Sequence, residues 1–260
     1  MLGSVEELIK ELEDMKKYPQ SLRYSGNLEL LQKTKISIVG TRKPSKYTRQ
    51  FTQQLAASLS QRNICIVSGG AMGVDATAHL AAKSSNTIAV LPCGIDIKYP
   101  AVNKNLLSDI ENNGLLLSQF EDGFKSRPWS FVTRNELVVA LGEVLVVSEA
   151  DVGSGSMRSV EYALTMGKEI FVLPQRLGES GATNELLNSG KATAIYDIDK
   201  FVARFADEEL SVTDVQNDTF IEYCKQSPTY DELLAKFPDR VFEAELSGEI
   251  DVVNGVVVVK

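Results

Sequence analysis

Four short glycine-rich turns are the residues of this sequence best suited to chemistry. Each follows an apolar β-branched run and precedes a helical pattern; they are Gly40–Pro44, Ser68–Gly73, Pro92–Asp96 and Ser154–Ser156. Small residues in such turns expose backbone N–H groups, and the helix N-terminus that follows favours negative charge, so each turn is suited to an anion. Parallel strands bring their carboxyl ends to one edge of a sheet. Four such turns at one edge predict a phosphate-binding surface.

Two stretches without acidic residues add cations to these turns. Residues 30–74 contain seven basic residues and no acid, and residues 123–135 contain three. The second stretch also carries Phe124, Trp129 and Phe131. Cations for phosphates and flat rings for unstacked bases are what single-stranded nucleic acid requires. The alternatives are that the charges simply face solvent, and that Trp129 and Phe131 cover the sheet edge as lid or core residues.

Groups suited to catalysis are few. The single histidine, His79, lies in a helical pattern without a Ser or Cys partner nearby, which favours a structural role. Asp75 and Asp96 follow glycine-rich turns and could cap a helix, hold a ribose or polarise a water, with capping favoured for Asp75. Glu149, at the end of a strand, is the one carboxylate kept as a candidate catalytic group. Neither Gly-x-x-x-x-Gly-Lys-Ser/Thr nor a strict Gly-x-Gly-x-x-Gly occurs, which disfavours P-loop ATPases and NAD-dependent dehydrogenases.

Alternating strand and helix patterns must position these turns. Consecutive β-branched apolar residues predict strands buried on both faces, so the alternation predicts an α/β fold with a doubly wound, mostly parallel sheet. The predicted strands are Ile36–Val39, Ile64–Val67, Thr87–Leu91, Leu115–Leu117, Val144–Val147, Ile170–Leu173 and Ala194–Tyr196. The predicted helices are Tyr47–Arg62, Asp75–Lys83, Lys104–Asn112, Asn135–Leu141, Ser156–Met166 and Asn184–Asn188.

The chain changes character after Phe205. Residues 207–218 are acidic and lack apolar periodicity, which predicts a linker. Residues 219–260 then predict three short helices, Phe220–Gln226, Tyr230–Phe237 and Arg240–Leu246, and a hairpin closed by Asn254-Gly255. This order is similar to a winged helix. The predicted domains are therefore an N-terminal helical extension (1–30), a main α/β domain (31–206), an acidic linker (207–218) and a small winged-helix-like domain (219–260).

The formal net charge of −8 is unevenly distributed along the chain. Residues 207–260 carry 13 acidic and 4 basic residues, a net charge of −9, whereas residues 1–206 carry 23 basic and 22 acidic residues. The total charge alone argues against a nucleic-acid partner, because such binding depends on clustered Lys and Arg. Divided by segment, the acidity belongs to the tail and favours a protein-interaction role there, while the main domain keeps its basic edge.

Composition narrows the class of protein further. The 260 residues are 43% hydrophobic and 24% charged, which is typical of a globular chain with a real core. Cys65, Cys93 and Cys224 are far apart, odd in number and without metal-ligand spacing, so they predict a reducing cytosol. No secretory signal is recognised, and no stretch reaches the roughly 20 apolar residues of a membrane span. We expect a soluble cytoplasmic protein without metal or cofactor.

The motifs occur in the order seen in the DNA-processing protein A family, also called DprA or Smf. The sequence resembles that family from about residue 30 to residue 200, and the blocks that carry the resemblance are Ile38–Arg42, Ser68–Ala76, Leu91–Asp96 with Tyr99-Pro100, Phe131–Asn135, Val147–Ser156, Phe171–Pro174 and Thr183–Gly190.

This resemblance implies an extended Rossmann-like domain that binds single-stranded DNA without sequence preference. It further implies that the protein protects incoming single strands and loads the RecA recombinase during natural transformation, as a homodimer through that domain and without enzymatic turnover. Duplex DNA is a further candidate ligand. The alternative is a nucleotide-processing enzyme of the related superfamily, of the phosphoribohydrolase type, in which Glu149 and Asp96 would act.

The resemblance also assigns residues. The family's DNA-binding arginine falls on Arg42 and its aromatic on Phe131, which we expect to stack on a base. The second cation falls on Arg127 or a neighbour, because Pro128 stands where some members have Lys. Glu136 replaces the last residue of the family's Arg-Asn-Arg, which disfavours a phosphate contact there. The residues predicted to bind DNA are Thr41, Arg42, Lys43, Gly69, Gly70, Gly73, Arg127, Phe131, Arg134, Asn135, Gly155 and Ser156.

Overall fold

The computed structural model describes residues 2–5, 8–206, 219–224, 228–247, 249–253 and 255–259. These residues form two compact units, Met1–Ala206 and Asp207–Lys260. The predicted linker, residues 207–218, lies outside the described residues. Within the described ranges, no helix has the length and apolar character that a bilayer crossing requires.

A nine-stranded sheet forms the centre of the first unit. In chain order its strands are β1 Leu2–Ser4, β2 Arg23–Gly26, β3 Lys35–Val39, β4 Cys65–Ser68, β5 Thr87–Val90, β6 Leu115–Ser118, β7 Val144–Val147, β8 Ile170–Val172 and β9 Thr193–Ala194. Their order across the sheet is β1-β2-β6-β5-β4-β3-β7-β8-β9. Strands β3 to β9 pair in parallel, whereas β1 and β2 pair antiparallel. The predicted mostly parallel sheet is therefore confirmed.

Helices cover both faces of this sheet, which explains why its strands are apolar at consecutive positions. Val144 and Val146 of β7 join one core cluster, and Leu145 and Val147 join another on the opposite face. The helices are α1 Lys46–Gln61, α2 Val74–Ala82, α3 Lys104–Asn113, α4 Pro128–Leu141, α5 Gly155–Thr165, α6 Gly181–Asn188 and α7 Ile198–Ala203. Strand β3 has β4 as its neighbour on one side and β7 on the other, so the strand order reverses direction at β3. Open α/β sheets bind ligands at such a reversal.

The N-terminal segment is not the helical extension that the sequence predicted. Of the described residues up to 30, Leu2–Ser4 and Arg23–Gly26 are β1 and β2 of the sheet, while Lys10–Asp14 and the segment that begins at Leu28 are 3₁₀ turns. Ile9, Leu12 and Met15 are buried and recur every three residues, which matches the three-residue turn of a 3₁₀ helix. The short, partly polar β2 at Arg23–Gly26 lacks the continuous apolar run by which the inner strands were recognised.

Helix α4 begins seven residues earlier than the predicted helix at Asn135–Leu141. Pro128 occupies its first turn, where a missing N–H costs nothing and the fixed φ suits a helix. Arg127 precedes it in extended conformation, and its N–H donates to Ser130 Oγ at 2.9 Å. Because the helix starts early, the stretch Trp129–Asn135 is helical, whereas the sequence predicted a loop before Asn135.

The second unit contains α8 Thr219–Cys224, α9 Tyr230–Lys236, α10 Pro238–Ser247 and the antiparallel strands β10 Ile250–Val253 and β11 Val256–Val259. Its core includes Phe220, Leu233, Val241, Ile250 and Val257. Thr229 caps α9, since its Oγ1 accepts from Glu232 N–H at 3.4 Å, and its own N–H donates in return to Glu232 Oε2 at 2.9 Å. Residues 225–227 and Asn254 of the predicted helix and hairpin lie outside the described residues.

Candidate functional site

A cavity of about 650 Å³ opens at the carboxyl edge of the sheet, beside the turns that follow β3, β4 and β7. Eight of the twelve predicted residues line it, namely Thr41, Arg42, Gly69, Phe131, Arg134, Asn135, Gly155 and Ser156. Lys43, Gly70, Gly73 and Arg127 do not. The cavity lies at the strand-order reversal beside β3, the position that the fold favours for ligands.

Helix α4 forms one wall of the cavity because four of its residues share a face. Phe131, Arg134, Asn135 and Val138 stand at positions i, i+3, i+4 and i+7, the spacing of one helical stripe, and all four line the cavity. The sequence signal that locates this wall is Pro128, since a proline at the first helical position starts the helix before the aromatic residues rather than after them.

Arg42 is an exposed cation held over an aromatic ring. Its guanidinium carbon lies 5.5 Å from the centre of the Phe131 ring, which is within cation–π range. Phe131 in turn meets Tyr99 edge to face, with ring centres 5.7 Å apart. No acid among the described residues forms an ion pair with Arg42 (Arg23, Arg158, Arg204 and Arg240 each have such a partner). Its donors are therefore available to an anionic ligand.

The turn that carries Arg42 is fixed by its neighbours. Thr41 N–H donates to the Glu149 carbonyl at 2.9 Å, and the Thr41 carbonyl accepts from Val74 N–H at 3.1 Å. Gly73 has φ of +83°, and a Cβ there would lie 2.6 Å from the carbonyl carbon of Arg42. Gly73 is required because the two turns touch at this point. It contributes to the cavity by allowing that approach, not by lining it.

A buried histidine forms a hydrogen bond with one backbone N–H of the Ser68–Gly73 turn. Gly70 N–H donates to His79 Nε2 at 3.2 Å, and His79 Nδ1 faces Thr87 Oγ1 at 2.7 Å. Because Thr87 Oγ1 donates to a carbonyl, His79 Nδ1 carries the proton and the ring is neutral. Burial lowers the pKa of His79 to about 3. The predicted structural role of His79 agrees with this geometry, and Gly70 N–H has its partner inside the protein.

Arg134 is a buried wall residue. Its side chain is 4% exposed, and its Nη1 donates to the carbonyls of Gly69 and Val90, the latter at 2.9 Å. Its Nε donates to Asn135 Oδ1 at 3.1 Å. These contacts join α4 to the ends of β4 and β5, so Arg134 fixes the shape of the cavity, and fewer of its donors than those of Arg42 remain for a ligand.

Asp75 also lines the cavity, and its negative charge acts on that of Arg134. Asp75 is 6% exposed and accepts from Ala71 N–H at 3.3 Å. Burial raises the pKa of Asp75, and the positive charge of Arg134 partly opposes that rise. Burial likewise lowers the pKa of Arg134, and Asp75 partly opposes that fall. The two groups stabilise each other's charged forms in a place that would otherwise exclude both.

Helix α5 brings a cation that sequence reasoning missed. Its N-terminal residues Gly155 and Ser156 line the cavity, and Arg158, one turn along, lines it as well. Arg158 is exposed and pairs with Glu161 at 2.7 Å, where both side chains are more than half exposed. Such a pair is weak and yields easily to a phosphate. The sequence signal that could have identified Arg158 is its position three residues after Gly155, which places it about one helical turn from the Ser154–Ser156 turn.

The two carboxylates of the enzymatic alternative hold loops outside the cavity lining. Glu149 Oε2 accepts from Ser45 N–H at 3.0 Å. Asp96 Oδ1 and Oδ2 accept from Gly123 N–H at 2.9 and 3.1 Å. Across the described residues, no group of three or more His, Cys, Asp and Glu side chains is placed to hold a metal ion.

Comparisons with known proteins agree on one family. The model of the family described as DNA recombination-mediator protein A matches residues 5–206. The DNA processing protein DprA of Streptococcus pneumoniae is 34% identical over 184 residues, which cover 69% of this chain and 65% of that protein. A putative DprA of Mycobacterium tuberculosis is 36% identical over 177 residues, which cover 66% of this chain and 46% of that protein. The chain thus spans between about half and two thirds of the length of these relatives.

Two solved structures are similar in fold and in sequence. DNA processing protein A from Helicobacter pylori, described for its unique single-stranded DNA binding mode, gives a TM-score of 0.77 at 41% identity, covering 78% of this chain and 95% of that one. DprA from S. pneumoniae gives a TM-score of 0.73 at 32% identity, covering 80% of this chain and 75% of that one.

Proposed function

This chain belongs to the DNA recombination-mediator protein A family, as its sequence motifs predicted, and we propose that it binds single-stranded DNA through the cavity at the carboxyl edge of its sheet. The binding is independent of base sequence and protects incoming single strands. The bound strand is then delivered to the RecA recombinase during natural transformation.

The observation that carries this proposal is Arg42 over Phe131 at the mouth of the cavity, 5.5 Å from the ring centre. A guanidinium can direct two parallel N–H donors at the oxygens of one phosphate, and a neighbouring aromatic face can receive an unstacked base. The pair therefore matches one nucleotide of a flexible strand. Contacts of this kind recognise backbone and base faces, not base edges, which supports binding without sequence preference.

The relative from Helicobacter pylori supports the choice of ligand, because it is described by its single-stranded DNA binding and this chain covers 95% of it. The first turn of α5 provides a second place for phosphate, with Gly155 and Ser156 at a helix N-terminus and Arg158 one turn beyond. Because the Arg42 site and the first turn of α5 line the same cavity, a strand that crosses the cavity would contact both. Further proposed DNA contacts are Arg127, Lys43 and the wall residue Arg134.

Other parts of the proposal follow from family membership alone. They are the RecA recombinase as partner, a homodimer formed through the Rossmann-like domain of residues 31–206, and a cytoplasmic location. For the C-terminal unit we propose a winged-helix-like module that contacts protein, since residues 207–260 carry a net charge of −9 and would repel phosphates.

The test is binding of labelled oligonucleotides followed by anisotropy. We expect oligo-dT, oligo-dA and a mixed sequence to bind with affinities that agree within a few-fold, and Arg42→Ala to weaken all three alike. Arg62→Ala removes another exposed arginine, which follows the C-terminal end of α1 whereas Arg42 precedes its N-terminal end, and is expected to leave the affinity unchanged. Unchanged affinity in Arg42→Ala would show that the assigned site is wrong. Release of free base from nucleoside monophosphates, abolished by Glu149→Gln, would instead favour the phosphoribohydrolase.

A further inference from the structure

We propose that Trp129 is a second base-stacking platform, which extends the path of the bound strand beyond the cavity. This inference rests on the proposed function, because its ligand is the same single strand. Trp129 does not line the cavity, and neither the motifs nor the Arg42 site uses it. The platform would add one stacked base to the one received by Phe131.

Trp129 is exposed above and supported below. Its side chain is 55% exposed, and its ring lies 5.7 Å from that of Phe120 and 5.6 Å from that of Phe124. Those two rings stack on each other at 4.8 Å with an interplanar angle of 13°, and Phe120 is buried. Contacts with two rings thus hold the indole in place. Because the side chain is already ordered, it loses little conformational entropy when a base stacks on it.

The position of Trp129 continues the proposed site. It lies on the first turn of α4, two residues before Phe131, and successive helical residues are rotated by about 100°. The two rings therefore lie on opposite sides of the same helix N-terminus, at the same edge of the sheet, with Pro128 of the cavity lining beside them. A strand of a few nucleotides can reach both, as single-stranded sites of about 4 to 16 nucleotides do elsewhere.

The charges around this platform balance. Lys125 and Arg127, four and two residues before Trp129 in the chain, are exposed, while Glu121 and Asp122 pair with Arg23 at 2.6 and 3.1 Å. Asp96 joins the same loop, since it accepts from Gly123 N–H, one residue before Phe124. The platform therefore contributes stacking with little net charge. This sets it apart from Arg42, and the two contributions differ in their response to salt.

Trp129 is the only tryptophan of the chain, so its own emission reports on stacking. We expect unlabelled oligo-dT to quench the fluorescence of the wild-type protein, with a titration curve that coincides with the anisotropy curve of labelled oligo-dT. Binding by anisotropy without any change in emission would overturn the platform and leave the proposed function standing. Absence of binding in both measurements would overturn the proposed function itself.

Variants test the platform independently of fluorescence. Trp129→Ala is expected to weaken oligo-dT binding by roughly five- to a hundredfold, the range for one stacked base, without changing the salt dependence. Trp129→Phe keeps a ring and its packing, and should recover most of that loss. The control is Tyr196→Ala, an aromatic that is 85% exposed and follows the edge strand β9, which lies six strand positions, or about 29 Å, from β6. Equal affinities of wild type, Trp129→Ala and Tyr196→Ala would refute the inference.

Discussion

Replacing Arg134 with methionine is expected to destabilise the first unit, and to do so more at neutral than at acidic pH. Methionine keeps much of the side-chain length but removes the donors to Gly69 and Val90 and the positive charge beside Asp75. Hydrogen bonds from charged donors contribute about 1.5–3 kcal/mol each. Two such bonds are lost in the variant, and the carboxyl group of Asp75 loses the positive charge that opposes the rise of its pKa. From the two bonds we expect a total loss of about 3–6 kcal/mol.

The sign of the pH dependence follows from two buried groups. Burial already raises the pKa of Asp75, and losing Arg134 raises it further, so the folded variant binds a proton more readily than its unfolded chain. A carboxyl group whose pKa is raised by folding lowers the free energy of unfolding as the pH rises. Arg134 also lowers the pKa of His79, so its removal makes acid less costly for the folded state. Both effects make the deficit of Arg134→Met smaller at pH 5 than at pH 7.

Urea unfolding at pH 5, 6 and 7, followed by the emission of Trp129, measures this deficit. The matched variant is Arg134→Met combined with Asp75→Asn, which removes the stranded carboxylate and should recover part of the loss. A deficit below about 1 kcal/mol, a deficit that does not change with pH, or a further loss in the double variant would refute the reasoning that the Asp75 carboxylate depends on the positive charge of Arg134.

Three further results are expected. Gly73→Ala should lower stability by roughly 1–3 kcal/mol and weaken oligo-dT binding, because a Cβ there meets Thr41; Gly178→Ala, with a similar φ of +85° and open space around it, should keep the binding. His79→Gln should reduce the fall of the melting temperature between pH 7 and 5. The folded protein keeps His79 neutral, with a pKa of about 3, whereas the unfolded chain protonates it below its ordinary pKa of about 6.5, so acid favours unfolding of the wild type. Deletion of residues 207–260 should leave the affinity for oligo-dT within about twofold, because that acidic segment adds no phosphate contacts.

Each of these expectations has a contradicting outcome. Equal binding losses in Gly73→Ala and Gly178→Ala would mean that the approach of the two turns does not matter for the site. An acid dependence in His79→Gln as steep as in the wild type would place the responsible group elsewhere. A large loss of DNA affinity on deletion of residues 207–260 would make the C-terminal unit a DNA-binding module.

The sheet could be predicted because its inner strands are buried on both faces. Runs such as Val144–Val147 are apolar at every position only where helices cover both sides, and the structure has β7 at those residues. The antiparallel strands could not be predicted in this way. Arg23–Gly26 carries arginine, tyrosine, serine and glycine, and its pairing with Leu115–Ser118 on one side and Leu2–Ser4 on the other makes it a strand. A local pattern does not contain that long-range pairing.

The candidate site was predictable in its chain segments but not in the roles of its side chains. The turns after β3, β4 and β7 converge as the strand order requires. Arg42 and Arg134 looked equivalent in the sequence, yet one is exposed and the other is 4% exposed and bound to carbonyls. Burial of a cation depends on which acid and which carbonyls the fold brings to it. For Arg134 those partners lie 44 to 65 residues away in the chain.

The most direct test of the account is the salt dependence of oligo-dT binding in the wild type, Arg42→Ala and Arg62→Ala. Each phosphate contact on a single strand contributes about −0.7 to the slope of log affinity against log salt. Arg42→Ala should lower the steepness by about that amount and weaken binding by about 1.5–3 kcal/mol at low salt, whereas Arg62→Ala, with the same change in charge, should match the wild type. Identical slopes and affinities in the two variants would contradict a localised phosphate contact at Arg42.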